Sequence, residues 1–170
     1  ADRTLEAAAI ARSFGTPLVI HQPAYSILNR WVEDGLTDAL RQEGLGAIAF
    51  TPLAQGLLTD RYLADGTAQR AVTRSTLPSR RLSDETVAVL RSLDVIARRR
   101  GQTLAQFALQ WVLRDPVVCS ALIGASRPEQ LDENLAALDG PEITTEERQE
   151  VDALADAIAG VDLWKVSAEA

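Results

Sequence analysis

The sequence predicts an α/β fold with parallel strands, in a sheet that has too few strands to be self-sufficient. Apolar residues at helical spacing alternate along the chain with short continuous apolar runs at Leu18–Ile20, Ala47–Phe50 and Val117–Ile123. These runs lack polar alternation, the pattern of strands buried on both faces of a parallel sheet. Strand-helix alternation is the signature of right-handed βαβ units. Three parallel strands cannot close a barrel, which takes eight, and an open three-stranded sheet leaves two apolar edges without partners. Strands beyond these three are therefore expected.

The elements follow in order. Ala7, Ile10, Ala11 and Phe14 form a helical stripe ended by Gly15 and Pro17. After the run Leu18–Ile20, the loop Gln22–Ser26 leads to a helix near Val32–Glu43, stopped by Gly44 and Gly46. The strand Ala47–Phe50 gives way to Thr51–Leu57, whose proline and glycine exclude regular helix throughout. Residues 64–81 have little periodicity and read as an exposed loop. Ser83-Asp84-Glu85-Thr86 opens a helix running through Val87, Leu90, Leu93 and Ile96 to Arg100, and Gly101 breaks it. Thr103–Leu113 is a strongly apolar helix. The run Val117–Ile123 is followed by Gly124-Ala125-Ser126 and by a helix opening at Pro128, with Leu131, Leu135 and Leu138 on one face. A helix capped by Thr144-Thr145-Glu146-Glu147 extends to about Ala159, and a tail follows.

The 170 residues suffice for one core and read as a single domain over 1–170, with no second domain. A net charge of −7 opposes nucleic-acid and anionic-membrane partners. Arg98-Arg99-Arg100 closes a helix, where positive charge complements the dipole, and reads as a solvated face. No apolar stretch approaches the roughly 20 residues that span a bilayer, and the first residues do not resemble a secretory peptide. The single cysteine, Cys119, fits a reducing compartment; the cytoplasm is the expected location.

Ligands of α/β folds sit beyond the carboxyl ends of the strands, which selects the loops Gln22–Ser26, Thr51–Leu57 and Gly124–Gln130. Ser126 and Arg127 at a helix start suit a phosphate, although glycine and serine there also simply make a cap. Phe50 at a strand end could offer its face to a planar ring; core packing is the ordinary role of such a residue. Gln22 could read an amide or equally pair with backbone. His21 lacks Asp or Cys companions at a telling spacing and reads as a packed strand histidine. Cys119 reads as a small core residue, and no metal site is expected.

The segments Ile20-His21-Gln22-Pro23-Ala24-Tyr25-Ser26, Ala49-Phe50-Thr51-Pro52-Leu53-Ala54-Gln55-Gly56-Leu57 and Leu122-Ile123-Gly124-Ala125-Ser126-Arg127-Pro128-Glu129-Gln130-Leu131-Asp132-Glu133-Asn134 resemble the aldo-keto reductase superfamily. The likeness is to the branch containing L-glyceraldehyde 3-phosphate reductases and voltage-gated potassium channel beta subunits, and it extends to Asp162-Leu163-Trp164. It implies the C-terminal half of a (β/α)8 TIM barrel: strands six to eight with their helices and a C-terminal helix.

The resemblance also implies NADP(H) as cofactor and a small carbonyl substrate. Gln22 matches the partner of the nicotinamide carboxamide and Phe50 the aromatic beneath the nicotinamide. Thr51, Pro52, Leu53, Ala54, Gln55 and Gly56 match the loop around the pyrophosphate. Gly124, Ser126 and Gln130 match positions at the 2′-phosphate and ribose, Arg127 adds a partner for that phosphate, and Glu133 and Asn134 match the adenine site. Asp60-Arg61-Tyr62 stands where this branch usually has Gly-Lys-Tyr, and Arg61 keeps the positive charge. The family's catalytic tetrad of Asp, Tyr, Lys and His belongs to the first half of its barrel, so no catalytic residue is assigned here. The expected partner is the N-terminal half of the barrel or a second copy. Three readings stay open: the cofactor-binding part of a reductase inactive by itself, a non-catalytic NADPH-binding or regulatory module, or an inactive self-associating half-barrel.

Overall fold

A computed structural model describes residues 1–63 and 84–157. Its six α-helices are α1 (Asp2–Ser13), α2 (Leu36–Glu43), α3 (Asp84–Arg99), α4 (Leu104–Leu113), α5 (Pro128–Leu135) and α6 (Thr145–Ala157). The strands are β1 (Ile20–His21), β2 (Gly46–Phe50) and β3 (Val118–Leu122), all parallel, in the order β1-β2-β3. The expected loop at 64–81 and the tail from Val161, with Asp162-Leu163-Trp164, lie outside the described residues.

Glycine placement explains several boundaries. The expected helix over 32–43 divides into a 3-10 turn, Trp31–Glu33, and α2, because Gly35 lies between them at φ 81°. Gly44 at φ 68° ends α2 in the left-handed conformation that glycine adopts without steric cost. Two helices carry reciprocal caps. Thr103 N–H donates to Gln106 Oε1 at 2.9 Å while Gln106 N–H donates to Thr103 Oγ1 at 3.3 Å. Thr144 and Glu147 repeat the arrangement before α6.

Two apolar clusters hold the elements together. One joins α3, α4 and α6 through Leu90, Leu93, Ile96, Leu104, Phe107, Trp111 and Val151, and reaches Leu57 and Leu58 after β2. The other covers one face of the sheet: Ala47 and Ala49 of β2 pack with Leu36 and Leu40 of α2, and with Val112 and Val118.

The opposite sheet face is uncovered by the described residues, and the burial expected of β1 and β3 is corrected. Leu18, Val19 and Ile20 are not buried on both faces; Val19 is 70% exposed and Ile20 42%, because β1 is an edge strand. Within β3 only Val118 is buried, so Cys119 is an exposed thiol rather than a core residue. A register shift between Ala47 and Ile48 places Cys119 out of step with its neighbours. On this face a Cβ added to Gly46 would come within 2.5 Å of Cys119 Sγ and 3.1 Å of Ile20 Cδ1, so the glycine is needed for space. The stripes of α1 (Ile10, Phe14) and α5 (Leu131, Leu135) are also exposed, as is Leu138 in the 3-10 turn after α5. His21 lies in β1, as expected of a strand histidine, and is half-buried; among the described residues no hydrogen bond reaches its Nδ1, and burial lowers its pKa.

Candidate functional site

Parallel register brings two strand ends together. Phe50, the last residue of β2, pairs with Leu122, the last of β3. The chain leaves both ends on the same side of the sheet, and a cleft of about 980 Å³ opens between the two departing loops.

The loop after β2 is held in an unusual path. Thr51, Ala54 and Gln55 have φ of 54°, 48° and 56°, and Gly56 has 90°. Left-handed backbone is disfavoured for residues bearing a Cβ, each costing of order 1–3 kcal/mol, so the surroundings must impose it. Here burial of Pro52, Ala54, Leu57 and Leu58 does so, with Ala54 N–H donating to Thr51 O at 2.9 Å and Gly56 N–H to Leu53 O at 2.8 Å. Thr59 Oγ1 donates to Gly56 O at 2.7 Å and accepts from Arg61 N–H, capping the short turn that carries Arg61.

The loop after β3 brings Gly124, Ser126 and Arg127 to the cleft, and α5 adds Gln130, Glu133 and Asn134. Nothing lies within 4 Å of a Cβ placed on Gly124, so the backbone there is open to a close approach. Ser126 donates twice, from its N–H at 2.9 Å and its hydroxyl at 3.0 Å, to the one acceptor Gln130 Oε1. Two donors thus converge where an anionic oxygen could accept.

Of the candidate residues, the cleft gathers Phe50, Thr51, Pro52, Leu53, Gln55, Gly56, Arg61, Gly124, Ser126, Arg127, Gln130, Glu133 and Asn134. Ala54 is buried beneath the loop, and Gln22 is exposed beyond β1 and does not line the cleft. Sequence reasoning assigned nothing to Thr59, Asp60, Leu122, Ile123 and Ala125, nor to Thr103 and Ala105 at the start of α4, all of which line it. The helix of Thr103 was legible, but nothing in its sequence indicates that its first turn lines the same cleft as Ser126.

A polar network lies behind this site. Tyr25 donates its hydroxyl proton to Glu33 Oε1 at 2.7 Å and accepts from Arg114 Nη1 at 2.6 Å. Arg30 joins Glu33 to Asp152 of α6. Burial pushes the Tyr25 phenol well above its ordinary range, and the nearby Arg114 only partly offsets this. Burial would raise the Glu33 carboxyl too, but hydrogen bonds from Arg30, Tyr25 and Arg114 outweigh it and hold the group below the usual carboxylate range. Tyr25 is therefore a locked structural phenol, and it does not line the cleft.

The aldo/keto reductase family model matches residues 2–156. The chain belongs to this family. This aldo/keto reductase chain is 43% identical over 180 aligned positions to L-glyceraldehyde 3-phosphate reductase of Escherichia coli K12, covering 99% of the chain and 50% of that enzyme. It is 42% identical over 125 positions to the Escherichia coli K12 protein tas, covering 71% of the chain and 35% of tas. The structure aligns with the holo form of the aldo-keto reductase AKR11C1 of Bacillus halodurans at TM-score 0.64 and 28% identity, covering 88% of the chain and 47% of that structure. The glycerol dehydrogenase AKR11B4 of Gluconobacter oxydans aligns at TM-score 0.67 and 27% identity, over 79% of the chain and 41% of its own. The chain thus spans about half the length of the L-glyceraldehyde 3-phosphate reductase it matches.

The family implies a nicotinamide dinucleotide, and the residues present fit one. The cleft has room for an extended ligand, and Gly56 and Gly124 permit close backbone approach. The guanidinium groups of Arg61 and Arg127, both on its wall, make no ion pair among the described residues. Among those residues no cluster of three His, Cys, Asp or Glu could hold a metal, and no helix is long and apolar enough to cross a membrane.

Proposed function

We propose that this chain is the cofactor-binding C-terminal half of a (β/α)8 aldo-keto reductase that uses NADPH to reduce small aldehydes or ketones, L-glyceraldehyde 3-phosphate among them. One observation carries the reading: the cleft at the carboxyl ends of β2 and β3 presents two guanidiniums that make no ion pair among the described residues, and the converging donors of Ser126. That chemistry suits a phosphorylated ligand, and a 2′-phosphate beside Arg127 and Ser126 would favour NADPH over NADH.

Arg61 and the left-handed loop Thr51–Gly56 would hold the pyrophosphate. Ser126, Arg127 and Gln130 would hold the 2′-phosphate and ribose, and Glu133 and Asn134 the adenine. Phe50 would offer a ring face to the nicotinamide and Gln22 a side-chain amide to its carboxamide. When bound between these residues, a reduced nicotinamide would be the source of the hydride. Tyr25 would not supply the proton that completes the alcohol: it is locked between Glu33 and Arg114, and its phenol is a weaker acid than usual. Proton transfer belongs to the tetrad of the other half of the barrel. The uncovered sheet face carries the exposed apolar side chains of Ile20 and Leu122 and suits packing against that half.

Calorimetric titration with NADPH and NADH, on the full-length native polypeptide alone and with the N-terminal half of a related reductase, tests this. NADPH binding that exceeds NADH binding, with turnover only when both halves are present, is expected. No binding at millimolar cofactor with the barrel completed would sink the proposal. Binding without turnover in the completed barrel would favour a non-catalytic nucleotide-binding module, and a stable inactive homo-oligomer would favour self-association.

A further inference from the structure

We propose that Gln106 is a positioning residue that sets the adenosine end of the cleft by tethering α5 to the cap of α4, an inference that rests on the cofactor reading above. Its side chain is used at both ends. Oε1 accepts from Thr103 N–H at 2.9 Å, completing the cap of α4, and Nε2 donates to the Glu133 carbonyl oxygen at 2.9 Å. That carbonyl lies in the last turn of α5, where helix geometry leaves carbonyls without an intrahelical partner. Its own residue, Glu133, lines the cleft with Gln130 and Asn134.

The tether matters because little else in the described chain fixes α5. The helix has no buried side chain, and its leucines, Leu131 and Leu135, are 45% and 52% exposed. By contrast α4 is anchored through fully buried Leu104, Phe107 and Trp111. Thr103 and Ala105 of α4 also line the cleft. Gln106 therefore transmits the position of a rigid helix to a weakly packed one and keeps the wall holding Glu133 and Asn134 in register with the rest of the site. A side chain needed only for the cap would not require its amide nitrogen.

The carboxamide's two functions can be separated. Gln106→Glu keeps an acceptor for Thr103 N–H but loses the donor to Glu133 O. Gln106→Lys supplies a donor but no acceptor. Binding of 2′,5′-ADP and of nicotinamide mononucleotide to the full-length native polypeptide is measured at low and at 0.5 M salt (~0.5 M leaves a screening length of about 4 Å). Q106E is expected to weaken 2′,5′-ADP about fivefold, the worth of one hydrogen bond, at both salt levels and to leave nicotinamide mononucleotide unchanged. Q106K is expected to recover most of that loss at high salt despite a weaker helix cap. Equal weakening of both ligands, a Q106E defect that disappears at high salt, or no defect would overturn the tether. If the wild-type polypeptide binds neither ligand, the cofactor reading fails instead. Hydrogen exchange then decides the tether: Q106E must speed exchange of the Leu131–Leu135 amides severalfold, and unchanged protection would overturn it.

Discussion

The Arg114 guanidinium rests on the Trp111 ring, with Cζ 3.9 Å from the ring centroid. Trp111 is fully buried near the end of α4, and Arg114 caps that helix. The same guanidinium donates to the Tyr25 hydroxyl and to Glu33 Oε1 at 3.0 Å. One residue thus ties the loop after β1 to the helix beneath the sheet. A lysine provides a point charge without the planar fork, so Arg114→Lys should lower stability by about 2 kcal/mol in urea unfolding. An unchanged midpoint would show that the ring contact and the forked hydrogen bonds contribute nothing.

Glu33 makes stability depend on acid. Its folded-state carboxyl sits below the ordinary range, so between the folded and unfolded pKa values the unfolded chain binds more protons. The Glu33 contribution is present above the unfolded value, near 4.5, and is lost as pH falls through the folded value. Glu33→Gln should cost about 2 kcal/mol at pH 7, and its difference from wild type should shrink steadily below pH 4.5. Unfolding curves at pH 7, 4.5 and 3 check this; a difference independent of pH would refute the assignment.

Gly140 is a glycine for space. Its φ of −68° and ψ of 152° suit any residue, but a Cβ would collide with the Gln102 side chain and come within 2.9 Å of Gln110 Oε1. Those amides cannot simply swing away: Gln102 Nε2 donates to Gln110 Oε1 at 3.0 Å, and both accept from buried Arg100. Gly140→Ala should destabilise by about 1–3 kcal/mol, as overpacking does, even though alanine restricts the unfolded chain. Thermal denaturation of the variant decides it, and a stabilised protein would mean that the network relaxes freely.

Cofactor choice should reside in Arg127. Arg127→Met removes a guanidinium from the cleft wall while preserving apolar bulk. NADPH affinity is expected to fall about tenfold, with NADH affinity nearly unchanged, since one charge-assisted contact to the 2′-phosphate is lost. Parallel titrations with both nucleotides test this. A comparable fall for both would place Arg127 elsewhere on the ligand.

By itself the sequence determined the succession of elements, the three loops after the strands and the cap at Thr144. These depend on interactions among residues a few positions apart, and periodicity and side-chain chemistry express them directly. It also contains the motifs that mark Phe50, Arg61 and Ser126, all of which line the cleft. Only the tertiary structure decided which faces are covered. The apolar runs at Leu18–Ile20 and around Cys119 look alike in sequence to Ala47–Ala49, yet only the last has neighbours on both edges and a packed helix over one face. The tertiary structure likewise brought Thr103 and Ala105 to the cleft and joined Gln106 to Glu133 across 27 positions. The physical reason is that burial and cross-element hydrogen bonds depend on what the fold places opposite a residue, whereas a helix cap depends only on the turn it begins.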